Sequence, residues 1–278
     1  MSRARVRGTL LPALTSAAVS ALALHAMRRL PAAVRQPWER ANHAGAPVTL
    51  LEGPAWVLGA AAGSLVTGGP SSVTATARLA PAVVAVASGA LGALDDLRGG
   101  ASSKGLKGHL SALRRGEVTT GAIKIVGLGV TGLVGAALLD RGRRGPFSTL
   151  VGGAVVAGAA NAVNLFDLRP GRALKVTACS AAPLLGGPGA AAPAALGASL
   201  GVIGDDLAAR SMLGDTGANA AGALVGLAFV ERTGLLGRAV ALAGLTALTL
   251  ASERVSFTAV IEGNPVLRRI DEWGRAPR

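Results

Sequence analysis

Three polar side chains close an apolar run in the stretch Asn161-Ala-Val-Asn-Leu-Phe-Asp167. On a helix, positions i, i+3 and i+6 share one face, so Asn161, Asn164 and Asp167 are expected to converge. Burying two amides and a carboxylate at the end of an apolar helix is costly unless they meet a metal ion or a substrate. The spacing therefore predicts one wall of a membrane active site, with polar contacts between packed helices as the alternative.

Two further acidic stretches lie at the edges of apolar runs, Leu94-Asp95-Asp96 and Gly214-Asp215-Thr216-Gly217. The alternative for the first is an interfacial contact with Arg98, and for the second a cap on a helix that begins near Gly217. Asp205-Asp206 is a weaker candidate, either a solvated helix end or support for the site. We expect the three stronger stretches to face the same water.

Carboxylates, amides and cations in one place fit the binding of Mg²⁺ with a phosphorylated substrate. Magnesium prefers oxygen ligands and usually combines one or two carboxylates with substrate phosphates. Nearby cations could hold the phosphates and offset the charge of the transition state. The candidates for this role are Lys104, Lys107, His109, Arg169, Arg172 and Lys175.

The composition predicts a membrane protein. The chain is 50% hydrophobic and 15% charged, with a mean hydropathy of +0.49, which is too apolar for an ordinary soluble domain. Its apolar runs match bilayer crossings, so we expect an all-α, polytopic transmembrane helix bundle of about nine spans, within a range of about eight to ten. The expected spans are Thr9–Met27, Val48–Thr67, Leu79–Leu94, Thr119–Leu139, Phe147–Phe166, Ala173–Leu185, Ala190–Ile203, Gly217–Val230 and Gly234–Ser252.

The distribution of lysine and arginine predicts the orientation. The loops on one side carry twice as many of these residues as those on the other, and the richer side is expected to be cytoplasmic. One integral membrane domain, 1–278, then has its N-terminus outside and a cytoplasmic tail, 253–278. The three acidic stretches fall on the cytoplasmic side, whereas Asp140 and Glu231 lie outside. The basic leader before Thr9 also resembles a secretory signal, but no soluble domain follows it.

Other classes of function are less consistent with the sequence. The net charge of +13 does not indicate nucleic-acid binding, because the basic residues lie in short loops without a basic tail or an aromatic platform. The single cysteine, Cys179, excludes an intramolecular disulfide and a cysteine-based metal site. A transporter is an open alternative, but clear inverted repeats are missing.

Four motifs in matching order carry a family resemblance. They are Leu94-Asp95-Asp96, Lys104-Gly-Leu-Lys-Gly-His109, Asn161-Ala-Val-Asn-Leu-Phe-Asp167 and Leu213-Gly-Asp-Thr-Gly-Ala-Asn219. Together they resemble the polyprenyl-phosphate N-acetylhexosamine-1-phosphate transferase superfamily, which includes the phospho-MurNAc-pentapeptide translocase and GlcNAc-1-phosphate transferases. The similarity spans roughly 41–219.

The resemblance implies a multi-pass enzyme of the cell (plasma) membrane with its active site on the cytoplasmic face. It would transfer a sugar-1-phosphate from a UDP-sugar to polyprenyl phosphate, release UMP, require Mg²⁺ with Mn²⁺ as an alternative, and serve cell-envelope glycan and peptidoglycan synthesis. A homodimer is left open. Carried over by residue, Asp95 and Asp96 would be catalytic, Asp96 and Asp215 metal ligands, and Asn161, Asn164 and Asp167 ligands of the nucleotide and diphosphate.

Three departures from the family pattern predict a divergent branch. Asp167-Leu-Arg-Pro-Gly-Arg172 has no second aspartate, Gly99 stands where a lysine is common, and Glu253-Arg-Val-Ser-Phe257 occupies the region of a histidine-rich loop. A catalytically degenerate relative that binds a lipid-linked precursor, or supports an envelope assembly complex, is therefore the second hypothesis.

Overall fold

The computed structural model describes residues 3–42, 45–66, 75–98, 116 and 119–276. Within these ranges the chain is predominantly α-helical, which confirms the expected all-α class. One short antiparallel hairpin, β1 (Glu39–Ala41) and β2 (Pro47–Thr49), accompanies the helices. The helices are α1 (Arg3–Met27), α2 (Ala32–Arg35), α3 (Glu52–Leu65), α4 (Ala75–Arg98), α5 (Thr120–Asp140), α6 (Pro146–Phe166), α7 (Arg172–Ala181), α8 (Ala191–Leu207), α9 (Gly214–Arg232), α10 (Leu235–Ser252), α11 (Phe257–Gly263) and α12 (Pro265–Glu272).

Among the described residues, five helices are long and apolar enough to cross a membrane: α1, α4, α5, α6 and α10. The expectation of nine spans is not confirmed. Helix α3 has 14 residues, α7 has 10 and α8 has 17, whereas a crossing needs about 20. The apolar run expected to cross at Ala173–Leu185 is broken by a 3₁₀ turn at Ala182–Leu184, because Pro183 cannot continue the hydrogen-bond ladder of α7.

Helix α9 is the centre of the bundle and is buried along most of its length. It packs against α3, α4, α5, α6, α7 and α8. Small residues allow this crowding, since a Cβ at Gly222 would overlap the carbonyl oxygen of Ala159 on α6. Close approach of backbones through glycine and alanine is the usual way in which helices associate in lipid.

A buried ion pair joins four helices at the end of the bundle opposite to the acidic stretches. Arg238 of α10 is fully buried and donates to both carboxylate oxygens of Asp140 on α5, at 2.6 and 2.8 Å. It also donates to the carbonyl oxygens of Ser148 on α6 and Val230 on α9, both at 2.8 Å. These contacts satisfy a charge that would otherwise be costly to bury, and they fix the register of the helices that position the site.

The acidic end is closed by the hairpin and by the C-terminal helices. Thr49 of β2 forms a bridge with Ser211, just before α9. After α10, helices α11 and α12 fold back onto the α6–α7 connection, where the ring of Phe257 stacks on that of Phe166 with a centroid distance of 5.4 Å. The tail expected at 253–278 is therefore helical and docked over its described part.

Candidate functional site

Asp96 caps the first turn of the central helix from a neighbouring helix. Its Oδ1 accepts the backbone N–H of Asp215 at 3.0 Å, and its Oδ2 accepts the N–H of Thr216 at 2.9 Å and the Thr216 hydroxyl at 2.6 Å. The first N–H groups of a helix have no partner within the helix and attract negative charge. Two of the predicted acidic stretches are thereby joined by direct contacts.

This contact requires α4 and α9 to approach closely one turn before the aspartate pair. A Cβ at Gly92 would overlap the backbone carbonyl of Asp215. The alternative in which Asp215 itself caps a helix starting near Gly217 is not what the structure shows. The helix begins at Gly214, and the Asp215 side chain faces a lysine of α5.

That lysine, Lys124, lies between two carboxylates. Its Nζ donates to Asp95 Oδ2 at 2.7 Å and to Asp215 Oδ2, while Thr120 Oγ1 donates to Asp95 Oδ1 at 2.7 Å. The Lys124 side chain is only 17% exposed. Helices α4, α5 and α9 therefore meet at one charged cluster, which we define as Asp95, Asp96, Lys124 and Asp215.

The two asparagines expected at the site lie beside this cluster. Asn161 and Asn164 line a cavity of about 400 Å³ that Lys124 also lines, a volume in the range of small-ligand pockets. Asn161 Nδ2 donates to Thr249 Oγ1 of α10 at 3.0 Å. The side-chain oxygen of Asn219, another lining residue, is buried without a hydrogen-bond partner among the described residues. The cavity thus adds amide groups to the charged cluster.

Asp167 ends the asparagine stretch in a strongly acidic environment. Burial raises the pKa of its carboxyl well above the usual range, and the charges of Asp206, Asp215 and Asp96 raise it further, against a hydrogen bond from the backbone of Gly214. Asp206 is also buried and accepts the N–H of Gly171 at 3.1 Å. Burial raises its pKa to about 7. Asp206 is therefore a buried carboxyl near Asp167, and the alternative of a solvated helix end does not hold for it.

Three of the predicted phosphate-binding cations are held by the C-terminal helices. Arg172 is almost fully buried and forms two hydrogen bonds of 2.8 Å with the Asp271 carboxylate. Lys175 donates to the carbonyl oxygens of Ile270 and Asp271, and Arg169 lies 3.2 Å from Glu262. In this arrangement they stabilise the tail. Lys104, Lys107 and His109 lie outside the described residues.

The charged cluster offers carboxylate oxygens to a divalent cation. Among the residues that the structure describes, no group of three or more histidine, cysteine, aspartate or glutamate side chains could hold a metal ion. Magnesium, however, usually takes one or two protein carboxylates together with phosphate and water. Asp95 and Asp215 converge on one cationic group, Lys124 Nζ. Their hard oxygen donors fit such an ion.

Lys124 is the site residue that sequence reasoning missed. It lies within the apolar run Thr119–Leu139, which was predicted only as a membrane span. The available signal was the cost of a charge inside a membrane helix, which makes an intramembrane lysine a candidate functional residue with an acidic partner. Its partners lie 29 and 91 positions away in the chain, so local spacing could not identify them.

No protein-family model matches the sequence, and no curated protein matches it. The geometry of the cluster and its cavity is therefore the basis for a functional assignment.

Proposed function

We propose that the protein is a membrane transferase that moves a sugar-1-phosphate from a UDP-sugar to polyprenyl phosphate and releases UMP. The observation that carries the proposal is the meeting of two separate motifs at one end of the bundle: Asp95 and Asp215 share Lys124, and Asp96 accepts the backbone N–H of Asp215. The amide-lined cavity next to it supplies room and hydrogen-bonding groups for a ligand.

The cluster suggests a division of roles among the aspartates. Asp95 and Asp215 would hold Mg²⁺, or Mn²⁺ in its place, because both carboxylates face a single cationic position, which the Lys124 ammonium would leave for a substrate phosphate. When bound, this ion would neutralise the diphosphate and the charge that spreads in the transition state. Asp96 has its oxygens committed to the N-terminus of α9, so we assign it to positioning Asp215. Asn161 and Asn164 would bind the polar part of the donor.

The proposed location is the cell membrane, and the proposed partners are its lipids and the two substrates. The five apolar helices are consistent with membrane lipid, and we place the protein in the cell membrane as a multi-pass protein with the charged cluster on the cytoplasmic face. The donor would approach from the cytoplasm and the lipid phosphate from the inner leaflet. A product destined for cell-envelope glycan synthesis follows from these substrates.

The test is UMP release by the purified protein with undecaprenyl phosphate, Mg²⁺ and a panel of UDP-sugars that includes UDP-GlcNAc and UDP-MurNAc-pentapeptide. We expect turnover with at least one donor and its loss on removal of Mg²⁺ with a chelator. Absence of turnover across the panel, under conditions in which a known transferase of this superfamily works in the same detergent, would refute the proposal.

The variant Asp215→Asn gives a sharper test within the protein. It keeps the size of the side chain but removes the charge that faces Lys124. We expect UMP release to fall at least a hundredfold, because the loss of one strong electrostatic contact to a transition state costs roughly 3 kcal/mol. Asp205→Asn is the matched control, because Asp205 lies at the same end but pairs with Arg28 and Arg210. Equal kinetics of the wild type and Asp215→Asn would remove Asp215 from the site.

The second candidate is a relative that binds a lipid-linked precursor without turnover. It is favoured by the engagement of Arg169, Arg172 and Lys175 with the C-terminal helices, which leaves fewer cations for a diphosphate. This candidate predicts saturable binding of a UDP-sugar or a polyprenyl phosphate without release of UMP. The two measurements together distinguish it from the transferase.

A further inference from the structure

The last helix presents an apolar stripe away from the protein. Val266, Ile270 and Trp273 are 67%, 58% and 78% exposed. Val266 and Ile270 are four residues apart and lie on one side of α12, and Trp273 follows directly after the helix, three residues beyond Ile270. Asp271, on a different side of the helix, is buried. We call Val266, Ile270 and Trp273 the α12 stripe.

The exposure of the stripe is fixed by the way in which α12 docks. Asp271 is held by Arg172, Lys175 donates to the backbone carbonyl of Asp271 at 2.6 Å, and Arg275 donates to the carbonyl of Pro170 at 2.9 Å. These contacts hold α12 on the side of Asp271, away from the stripe. The helix therefore cannot roll to bury Trp273 without breaking a buried ion pair.

Helix α12 lies beside the ends of two helices that are long enough to cross a bilayer, at the level expected for a membrane surface. Helix α10, which is long and apolar enough to cross a bilayer, ends at Ser252, a few residues before α11. Phe257 of α11 stacks on Phe166, the last residue of another such helix, α6. The docking site of α12 begins in the connection that directly follows Phe166. A bilayer crossed by α6 and α10 would have its interface beside α12.

The charge around the stripe indicates which lipids would be found there. Arg269, the neighbour of Ile270, is exposed beside the stripe, and Arg254 is exposed just after the end of α10. Arg268 lies on the Asp271 side of α12. Interfacial helices combine an apolar face with tryptophan and flanking basic residues, which contact the headgroups while the apolar face enters the acyl boundary. Basic residues at this depth attract anionic lipids.

We propose that the α12 stripe is a binding surface for the anionic phospholipid leaflet, with Trp273 in the acyl boundary and Arg254 and Arg269 on the phosphates. The C-terminal segment is then an in-plane anchor that joins the leaflet to Arg172, five residues after Asp167. This inference does not depend on the transferase activity, because it rests on the stripe, its docking and its level beside α6 and α10.

The experiment measures the fluorescence of Trp273 in the full-length protein reconstituted in bilayers. The difference between the spectra of the wild type and Trp273→Phe isolates this residue from Trp38 and Trp56. We expect blue-shifted emission, with stronger quenching by lipids brominated near the headgroup than by lipids brominated near the bilayer centre. In mixed bilayers, brominated phosphatidylglycerol should quench more strongly than brominated phosphatidylcholine at the same mole fraction.

The double variant Arg254→Gln with Arg269→Gln tests the charge. Each arginine near an anionic surface favours association by about fivefold, so the preference for phosphatidylglycerol should fall towards unity while the blue shift persists. Arg141→Gln with Arg143→Gln removes the same charge at the opposite end of the bundle and should leave the preference unchanged. Emission typical of water, quenched by aqueous iodide but not by brominated lipid, would overturn the proposal and leave the stripe to a protein partner.

Discussion

At the scale of single residues, Lys124 balances the negative charge of Asp95 and Asp215. Lys124→Met leaves the Asp95 and Asp215 carboxylates close together and mostly buried. In the presence of a chelator, we expect the variant to lose about 3 kcal/mol of folding stability. This is the lower end of the range for a broken buried ion pair, because both carboxylates keep some exposure. Added Mg²⁺ should restore much of this loss, since an ion that binds only the folded state stabilises it.

The measurement for Lys124→Met is thermal unfolding in detergent with a chelator and with excess Mg²⁺. Arg28→Met is the matched control, because Arg28 pairs with Asp205 at the same end of the bundle; it should be destabilised without recovery in Mg²⁺. If Lys124→Met and the wild type unfold at the same temperature in the chelator, Lys124 does not balance the two carboxylates.

Asp206 gives a prediction about pH. Burial raises its pKa to about 7, above the ordinary value of about 3.9. A raised pKa means that the folded state binds the proton more tightly, so the stabilising contribution is complete below about pH 4 and is lost as the pH rises through about 7. Asp206→Asn, which keeps the acceptor for the N–H of Gly171, should therefore raise Tm by a few degrees at pH 8.

The same substitution should change Tm much less at pH 5, where the wild-type carboxyl holds its proton. Unfolding followed by differential scanning calorimetry at both values of pH checks this. Asp205→Asn is the control of opposite sign, because hydrogen bonds from Arg28 and Arg210 outweigh burial and lower the pKa of Asp205. A gain in Tm for Asp206→Asn that is equal at both values of pH would contradict the prediction.

The acidic members of the site could be predicted from the sequence, but most of their partners could not. Asp95, Asp96 and Asp215 stood out because carboxylates at the edges of apolar runs are costly without a partner. Arg172 and Lys175 were expected to bind phosphate because they follow Asp167 closely. Their partners in α12 lie almost a hundred residues later, and only the folded chain reveals them.

At the scale of helices, the close crossing of α4 and α9 positions the aspartates. Gly92→Ala would place a Cβ into the backbone of Asp215, and such overpacking costs about 1–3 kcal/mol. We expect a lower Tm and a similar or larger loss of any UMP release, because Asp96 would be displaced from the first turn of α9. Activity assays and thermal unfolding test both expectations.

Gly129 of α5 offers a matched control for Gly92. A Cβ there meets nothing within 4 Å, so Gly129→Ala should be neutral or slightly stabilising through its higher helix propensity, by up to about 1 kcal/mol. Equal Tm values for Gly92→Ala and the wild type would show that the two helices can separate freely.

The existence of the helices could be predicted from apolar runs, but their number of crossings could not. The predicted Phe147–Phe166 span agrees closely with α6 (Pro146–Phe166). The runs at Val48–Thr67 and Ala173–Leu185 yielded helices of 14 and 10 residues. A core helix and a membrane span are both apolar, so composition alone does not distinguish them. The length of the helix in the folded chain does.

At the scale of the whole molecule, the C-terminal helices are attached through the buried Arg172–Asp271 pair. Burial raises the pKa of Asp271, but hydrogen bonds and charge from Arg172, with the charge of Arg275, outweigh burial and lower it. Its stabilising contribution is therefore present above the ordinary aspartate pKa and is lost as the pH falls through the lowered value. Docking of α12 should persist across the neutral range and weaken only in acid.

Asp271→Asn should release the tail at neutral pH. Arg172, 4% exposed, would be left buried without its counter-charge, which costs about 3–5 kcal/mol, so amide exchange in α12 should accelerate by at least a hundredfold. Hydrogen exchange read by mass spectrometry measures this. Glu272→Gln removes a charge from an exposed neighbour and should leave exchange unchanged. Protection retained in Asp271→Asn would mean that the backbone contacts of Lys175 and Arg275 suffice to hold the tail, and that the ion pair is dispensable.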